Sequence, residues 1–156
     1  MASNLYERIT QTALEFAHGY DQANCGRDIT TLSTALTPTC RRYFAPASLL
    51  TQAPALAAGR SNAEFEAQTQ QELTGAMSSW EVEILDLTVD ERARKAVVRL
   101  VSHATSKRGK TYDFENVFTL FFTEDGAKVE KIVQFVDVGA AGQFMRDEME
   151  FTGQLQ

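Results

Sequence analysis

The chain reads as an α+β domain, and three observations lead there. Apolar residues recur at helical spacing through the first half. Four long β-rich runs joined by short turns fill the stretch from Trp80 to Val138. The last run ends on an aspartate, in Phe135-Val136-Asp137. Helices first and a strand meander last is the α+β pattern, and one strongly bent antiparallel sheet wrapped around the N-terminal helices closes a cone between them. A carboxylate at the tip of an otherwise apolar strand costs free energy unless something pairs with it or chemistry uses it. The cone is therefore expected to hold an acid–base group.

Each element has its own signal. Leu5, Ile9, Ala13, Phe16 and Tyr20 form one apolar stripe along a long first helix. Gly26 interrupts it, and Asp28 to Leu36 reads as a short second helix ended by Thr37-Pro38. A brief segment, Cys40 to Phe44, precedes Pro46. Ala45 to Gly59 is loop-like but rich in Ala and Leu, suiting a lid, a subunit contact or plain core packing. Ser61-Asn62-Ala63-Glu64 has the form of a capping box, so a third helix starts there. It carries Phe65, Thr69, Leu73 and Met77 and stops near Ser78-Ser79. The strands are Trp80 to Val89, Ala96 to Thr105, Thr111 to Phe122 and Val129 to Val138. Turns at Asp90-Glu91, Lys107-Arg108-Gly109 and Glu124-Asp125-Gly126 join them. Gly139 and Gly142 open a final short helix with Phe144 and Met145.

Composition narrows the function classes. At 156 residues the chain forms one domain, 1–156, large enough for a single core. The net charge is −6, and Arg92-Ala93-Arg94-Lys95 and Lys107-Arg108 read as solvated hairpin ends, so nucleic acid is a poor partner. Met1-Ala2-Ser3-Asn4 runs straight into an amphipathic helix, and no apolar run approaches the ~20 residues needed to cross a bilayer. A soluble, cytoplasmic protein with no membrane association is expected. Cys25 and Cys40 are too few for a disulfide framework and read as buried thiols. His18 and His103 form no HxH or HxxxH pair, so no metal site is expected.

Longer phrases point to a family. Asp90-Glu91-Arg92-Ala93-Arg94-Lys95-Ala96-Val97-Val98, Gly109-Lys110-Thr111-Tyr112 running to Glu115, Glu124-Asp125-Gly126-Ala127-Lys128-Val129, Phe135-Val136-Asp137 and the loop Pro46-Ala47-Ser48-Leu49 resemble the NTF2-like superfamily. Within it they are similar to the SnoaL-like proteins of fungal secondary-metabolite pathways, from Cys40 onward. The resemblance implies an NTF2-like cone and cofactor-independent isomerase, cyclase or hydrolase chemistry on polyketide and meroterpenoid intermediates. Isomerases of tetrahydroxanthone pathways are the nearest in feel. Three departures stand out. The family's Tyr-x-Asn-Glu-Tyr pattern appears as Tyr112-Asp113-Phe114-Glu115-Asn116, its frequent glutamate before Phe-Val-Asp is Gln134, and Arg42 occupies a position where many relatives carry histidine.

Candidate residues follow, each beside a structural alternative. Asp137 matches the family's cavity-facing aspartate, and an apolar cavity would raise its proton affinity toward that of a useful base. It also sits where a helix N-cap belongs. His103 could shuttle a proton, or it could face solvent or a second subunit, because alternation along its strand does not say which face is concave. Glu115 matches the family motif, although alternation groups it with Thr111, Asp113 and Thr119, and only a β-bulge would turn it inward. Arg42 could stabilise an enolate or bind a substrate carboxylate, with Arg41 as its solvated neighbour and Arg60 a lesser candidate. Tyr20, Phe65 and Trp80 are expected near the mouth of the cone, and His18 is expected to be exposed.

Three functions compete. One is a cofactor-free isomerase of a cyclic, enolisable polyketide, in which Asp137 takes a proton, His103 returns it and Arg42 steadies the enolate. A cyclase or dehydratase would use the same groups. A ligand carrier or interaction module would show Asp137 paired only to backbone amides. A homodimer built on the outer face of the sheet is expected in each case.

Overall fold

In the computed structural model residues 4–23 and 28–149 are described, so Cys25 and Gly26 lie outside the described part. Helix α1 (Asn4–Gln22) carries the expected stripe, with Ile9, Ala13, Phe16 and Ala17 buried. The expected second helix contracts to a single 3-10 turn, Ile29–Ser33, capped by Asp28, whose Oδ1 accepts the Thr30 N–H at 3.0 Å. It ends early because Leu36 already belongs to strand β1 (Leu36–Ala45). Pro38 hid this strand from the sequence reading. It is tolerated because the pairing of β1 shifts register between Leu36 and Arg41, where no ladder donor is demanded of it.

The apolar loop holds a short helix α2 (Ala47–Gln52) and a 3-10 turn, Pro54–Leu56. Strand β2 (Arg60–Ser61) returns along β1 and leads into α3 (Asn62–Ala76). The capping box forms as read: the Ser61 N–H donates to Glu64 Oε2 at 2.7 Å, and the Glu64 N–H donates to Ser61 Oγ at 3.2 Å. α3 stops at Ala76 because Met77 pairs with Ser106 to begin β3 (Met77–Asp90). Strands β4 (Lys95–Ser106), β5 (Thr111–Phe122) and β6 (Val129–Phe135) follow, then α4 (Val138–Phe144) and a π-helical turn, Met145–Met149.

All six strands form one curved sheet in the order β2-β1-β6-β5-β4-β3. Its pairings are antiparallel except β1 with β6, which run parallel. That exception is possible because the connection from β1 to β6 spans α3 and the whole β3–β5 meander, far beyond a hairpin.

The concave face packs on α1 through Val98, Leu100, Phe118, Leu120 and Ile132, each at most 1 % exposed. Side chains of that size stabilise by roughly 1.5–3 kcal/mol each when fully buried. A second cluster gathers Leu32, Phe65, Met77, Tyr112, Phe114 and Phe144 at the other end of the sheet. The space between the two clusters positions the site. Among the described residues no helix is long and apolar enough to cross a membrane.

Candidate active site

A cavity of about 330 Å³ lies between the sheet, α1, α3 and the C-terminal helix. Its walls are largely apolar. Leu49, Ala53 and Leu56 close one side, which gives the apolar loop its role. Trp80 and Phe114 stack at 5.4 Å between ring centres on another. Tyr20 and Phe65 also line it, so all three aromatic residues expected near the mouth face the cavity. Polar groups are few among such walls, which is the pattern of small-molecule sites.

Asp137 follows the end of β6 and lines the cavity. It is also the N-cap of α4: Oδ1 accepts the Ala140 N–H at 3.1 Å, and Oδ2 accepts the Glu115 N–H at 3.3 Å. Its own N–H donates to Asn116 Oδ1 at 2.9 Å. The two alternatives raised by sequence thus coexist in one residue, and among the described residues the carboxylate's partners are main-chain amides.

A second carboxyl lines the cavity, one the sequence reading did not single out. Glu72 sits on α3 two turns beyond Phe65, on the face that also carries Gln68 and Thr69. Burial pushes its proton affinity above the ordinary carboxylate value, and a hydrogen bond from Gln68 Nε2 at 3.2 Å offsets this only in part. The spacing Phe65, Gln68, Thr69, Glu72 (i, i+3, i+4, i+7) was the available signal. The stripe read from sequence runs instead through Leu73, whose side chain lies outside the described part.

Arg42 is inside the protein and only 3 % exposed. Alternation along β1 sends Cys40, Arg42 and Phe44 inward, and Arg42 pairs opposite the buried Ile132. Its guanidinium lies 3.6 Å over the Phe65 ring. Nη1 donates to the Tyr20 hydroxyl at 2.6 Å and to Gln134 Oε1 at 2.8 Å, while Nη2 is buried and, among the described residues, without a partner. Arg42 stands one layer behind the wall rather than on it, since Tyr20, Phe65 and Gln134 are the lining residues. Burial raises the Tyr20 phenol's pKa, with Arg42 opposing, so the phenol is protonated at neutral pH.

Two expectations are corrected. His103 lies on the outer face of β4, its side chain 44 % exposed, held by Asp113 at 2.6 Å and Glu83 at 2.8 Å. Those two carboxylates raise its pKa, Glu83 most. The inward positions of β4 belong to Val98, Leu100, Ser102 and Ala104, so the histidine takes the other face. Glu115 is likewise outside, paired with Arg99 at 2.8 Å. The bulge needed to turn it inward is missing, because β4–β5 pairing runs without a register shift from Lys95–Phe121 to Thr105–Thr111. Its neighbour Asn116 takes the inward position.

The remaining candidates are satisfied locally. His18 is exposed and bonded to Asp21 at 3.0 Å. Arg41 and Arg60 donate to the carbonyls of Ala58 and Ala55. The Cys40 thiol is buried, and burial pushes its pKa up to about 11. Among the described residues no group of three His, Cys, Asp or Glu side chains is placed to hold a metal ion.

No protein-family model matches the chain. Austinoid biosynthesis clusters protein S of Emericella nidulans is 27% identical over 147 residues, covering 90% of this chain and 94% of that protein. The BvnE pinacolase of Penicillium brevicompactum superposes with a TM-score of 0.80 at 23% identity, over 96% of this chain and 97% of the other. PrhC of Penicillium brasilianum gives 0.79 at 21%, over 97% and 95%. The long N-terminal helix, the curved six-stranded mixed sheet and the cavity between them are the NTF2-like fold, and this chain has that fold.

Proposed function

We propose that the protein is a cofactor-independent isomerase that moves a proton on a cyclic, enolisable ketone of the polyketide or meroterpenoid type, tetrahydroxanthone-like intermediates included. The observation that carries this reading is a pair of carboxyl groups, Asp137 and Glu72, on the wall of an otherwise apolar cavity. Asp137, fixed by two N–H groups, accepts the proton α to the carbonyl, and the electrons of the C–H bond pass to the carbonyl oxygen. Glu72, whose proton is held more tightly by burial, donates one back to carbon on another face or at a conjugated position. The proton left on Asp137 passes to Glu72, so nothing is consumed. Glu72 takes the place in this scheme that sequence reasoning gave to His103.

Similarity to a protein of an austinoid cluster supports a secondary-metabolite substrate. A pinacol-type rearrangement or a cyclisation with water loss would draw on the same acid–base pair and is distinguished by product mass and carbon skeleton. A carrier function has one observation in its favour, the pairing of Asp137, among the described residues, with main-chain amides alone. A homodimer built on the convex face is part of the proposal, supported by Phe135, Val97 and Tyr43 there, at 52%, 39% and 36% exposure. Sedimentation of a concentration-independent monomer would remove that part.

The test is deuterium uptake from heavy water into a panel of cyclic polyketide ketones, read by mass spectrometry. Uptake above background by the wild type that is lost in Asp137→Asn and in Glu72→Gln supports the isomerase. Binding without uptake, in all three proteins, would make it a carrier.

A further inference from the structure

Behind the cavity wall lies a charge arrangement that proton transfer between two carboxyl groups leaves unexplained. Arg42 spends both hydrogens of Nη1, one on the Tyr20 hydroxyl and one on Gln134 Oε1. Accepting these bonds fixes what each residue can offer in return. A phenol that accepts from a guanidinium turns its own hydrogen elsewhere, and a glutamine whose oxygen is engaged presents its –NH₂. Both residues line the cavity, and among the described residues neither the Tyr20 O–H nor Gln134 Nε2 has an acceptor.

The charge balance points the same way. Among the described residues no carboxylate lies within ion-pair distance of Arg42, and its Nη2 is buried without a partner. A buried cation lacking a counter-ion is costly, and residue 134, the natural place for one, is a neutral amide. The rings of Phe16, Tyr20, Phe65 and Phe118 surround the guanidinium but carry no formal charge, so the cation is left to be balanced from the cavity side.

We propose that Tyr20 and Gln134 form a two-donor seat for an anionic oxygen of the enolate or phenolate class, and that Arg42 is a positioning residue that aims both donors and lends the seat its charge. The inference deepens the isomerase reading, because the oxygen that gains charge on enolisation would rest there. The sign is diagnostic. An apolar cavity and two further carboxyl groups, Glu72 and Asp137, all disfavour a bound anion, so anion preference arises from the seat alone.

The probe is 4-nitrophenol, whose two protonation states absorb differently, titrated with and without saturating protein. The bound phenol should ionise about one pH unit or more below the free phenol, equivalent to phenolate binding ~10-fold tighter than phenol. Gln134→Glu preserves shape but pairs with Arg42, removing donor and charge together, and should abolish or reverse the shift. Tyr20→Phe should reduce it, and Arg42→Met should eliminate it. If Arg42→Met fails to fold, the first two variants still decide. Bound probe ionising at or above the free value, a shift that survives Gln134→Glu, or no binding of the phenolate at millimolar concentration would each overturn the seat. No turnover is involved. A normal shift without deuterium exchange would sink the isomerase reading alone, and exchange without a shift would sink the seat alone.

Discussion

Asp137 does two jobs in this geometry, and paired substitutions separate them. As N-cap of α4 it satisfies the Ala140 N–H, and its second oxygen meets the Glu115 N–H. Alanine removes both acceptors and should cost about 1 kcal/mol, the usual price of a lost cap. Unfolding entropy near 2.1 cal/mol/K per residue over 156 residues comes to about 0.33 kcal/mol/K. The Asp137→Ala melting temperature should therefore fall by about 3 °C. Asparagine caps as well as aspartate, but turns an –NH₂ toward the weaker Glu115 contact, so Asp137→Asn should lose no more than about 1–2 °C. Its rate should behave differently: a base replaced by an amide forfeits roughly 10²–10⁴-fold of proton transfer. The assay is a thermal melt alongside deuterium exchange into a cyclic ketone that the wild type labels. Asp137→Asn exchanging within two- to three-fold of wild type would refute the role as base and leave the cap as its whole function.

Other expectations concern the outer face and the C-terminal wall. His103 has a raised pKa, so its bonds to Glu83 and Asp113 contribute stability fully below about pH 6.5 and lose it as pH rises through the higher folded value. Wild type should thus lose a small melting-temperature advantage over His103→Gln across that window, with deuterium exchange unaffected. Tyr112→Phe strips the hydroxyl that donates to Oε1 of Glu148, itself only 1 % exposed, at 2.8 Å, and should cost about 2–3 kcal/mol by denaturant titration. Adding Glu148→Met to it should restore most of that loss, since both members of the pair then become apolar. Gly126→Ala places a Cβ 2.9 Å from Leu5 Cδ1 and 3.0 Å from Ile9 Cγ1 at a φ of +72°, and should cost about 2–4 kcal/mol in the same measurement.

The parts of the fold legible in the sequence were those whose signal is local. The α1 stripe, the Ser61–Glu64 capping box and the hairpin turns are each decided within a few residues; they form where expected, except that the first turn closes over Glu91–Arg94 because Asp90 still pairs with Lys95. Strand β1 shows in the sequence only as the brief segment Cys40 to Phe44, because its parallel partner β6 lies some ninety residues on and Thr37-Pro38 reads as the stop of a helix that includes Leu36. The site followed the same rule. Alternation, taken strictly, put Glu115 outside and left Asn116 inside, whereas matching the family motif favoured Glu115. His103 was undecidable by alternation alone, because Val97, Val98, Leu100 and Val101 offer apolar residues to both faces of β4. Arg42 is buried by long-range packing against Phe65 and Tyr20, which no window around residue 42 contains.

Glu72 offers a check on the site that needs no substrate. Burial raises its folded-state pKa above that of the unfolded chain, so the folded protein binds this proton more tightly. Its contribution to stability is therefore fully present below the unfolded value, near pH 4.3, and is lost as pH rises through the folded value. Glu72→Gln carries no such charge and keeps an acceptor for Gln68. The variant should match wild type near pH 4 and melt higher than wild type at neutral pH, with the gap opening between the two pKa values. One pH unit of displacement corresponds to about 1.4 kcal/mol, or about 4 °C with the unfolding entropy used above. The plateau of the gap thus reads out the displacement directly. A gap that is absent, or that opens in the opposite direction, would mean that Glu72 is solvated like a surface carboxylate. If the gap opens as argued while exchange collapses, the same carboxyl that weakens the fold at neutral pH is the one the chemistry requires.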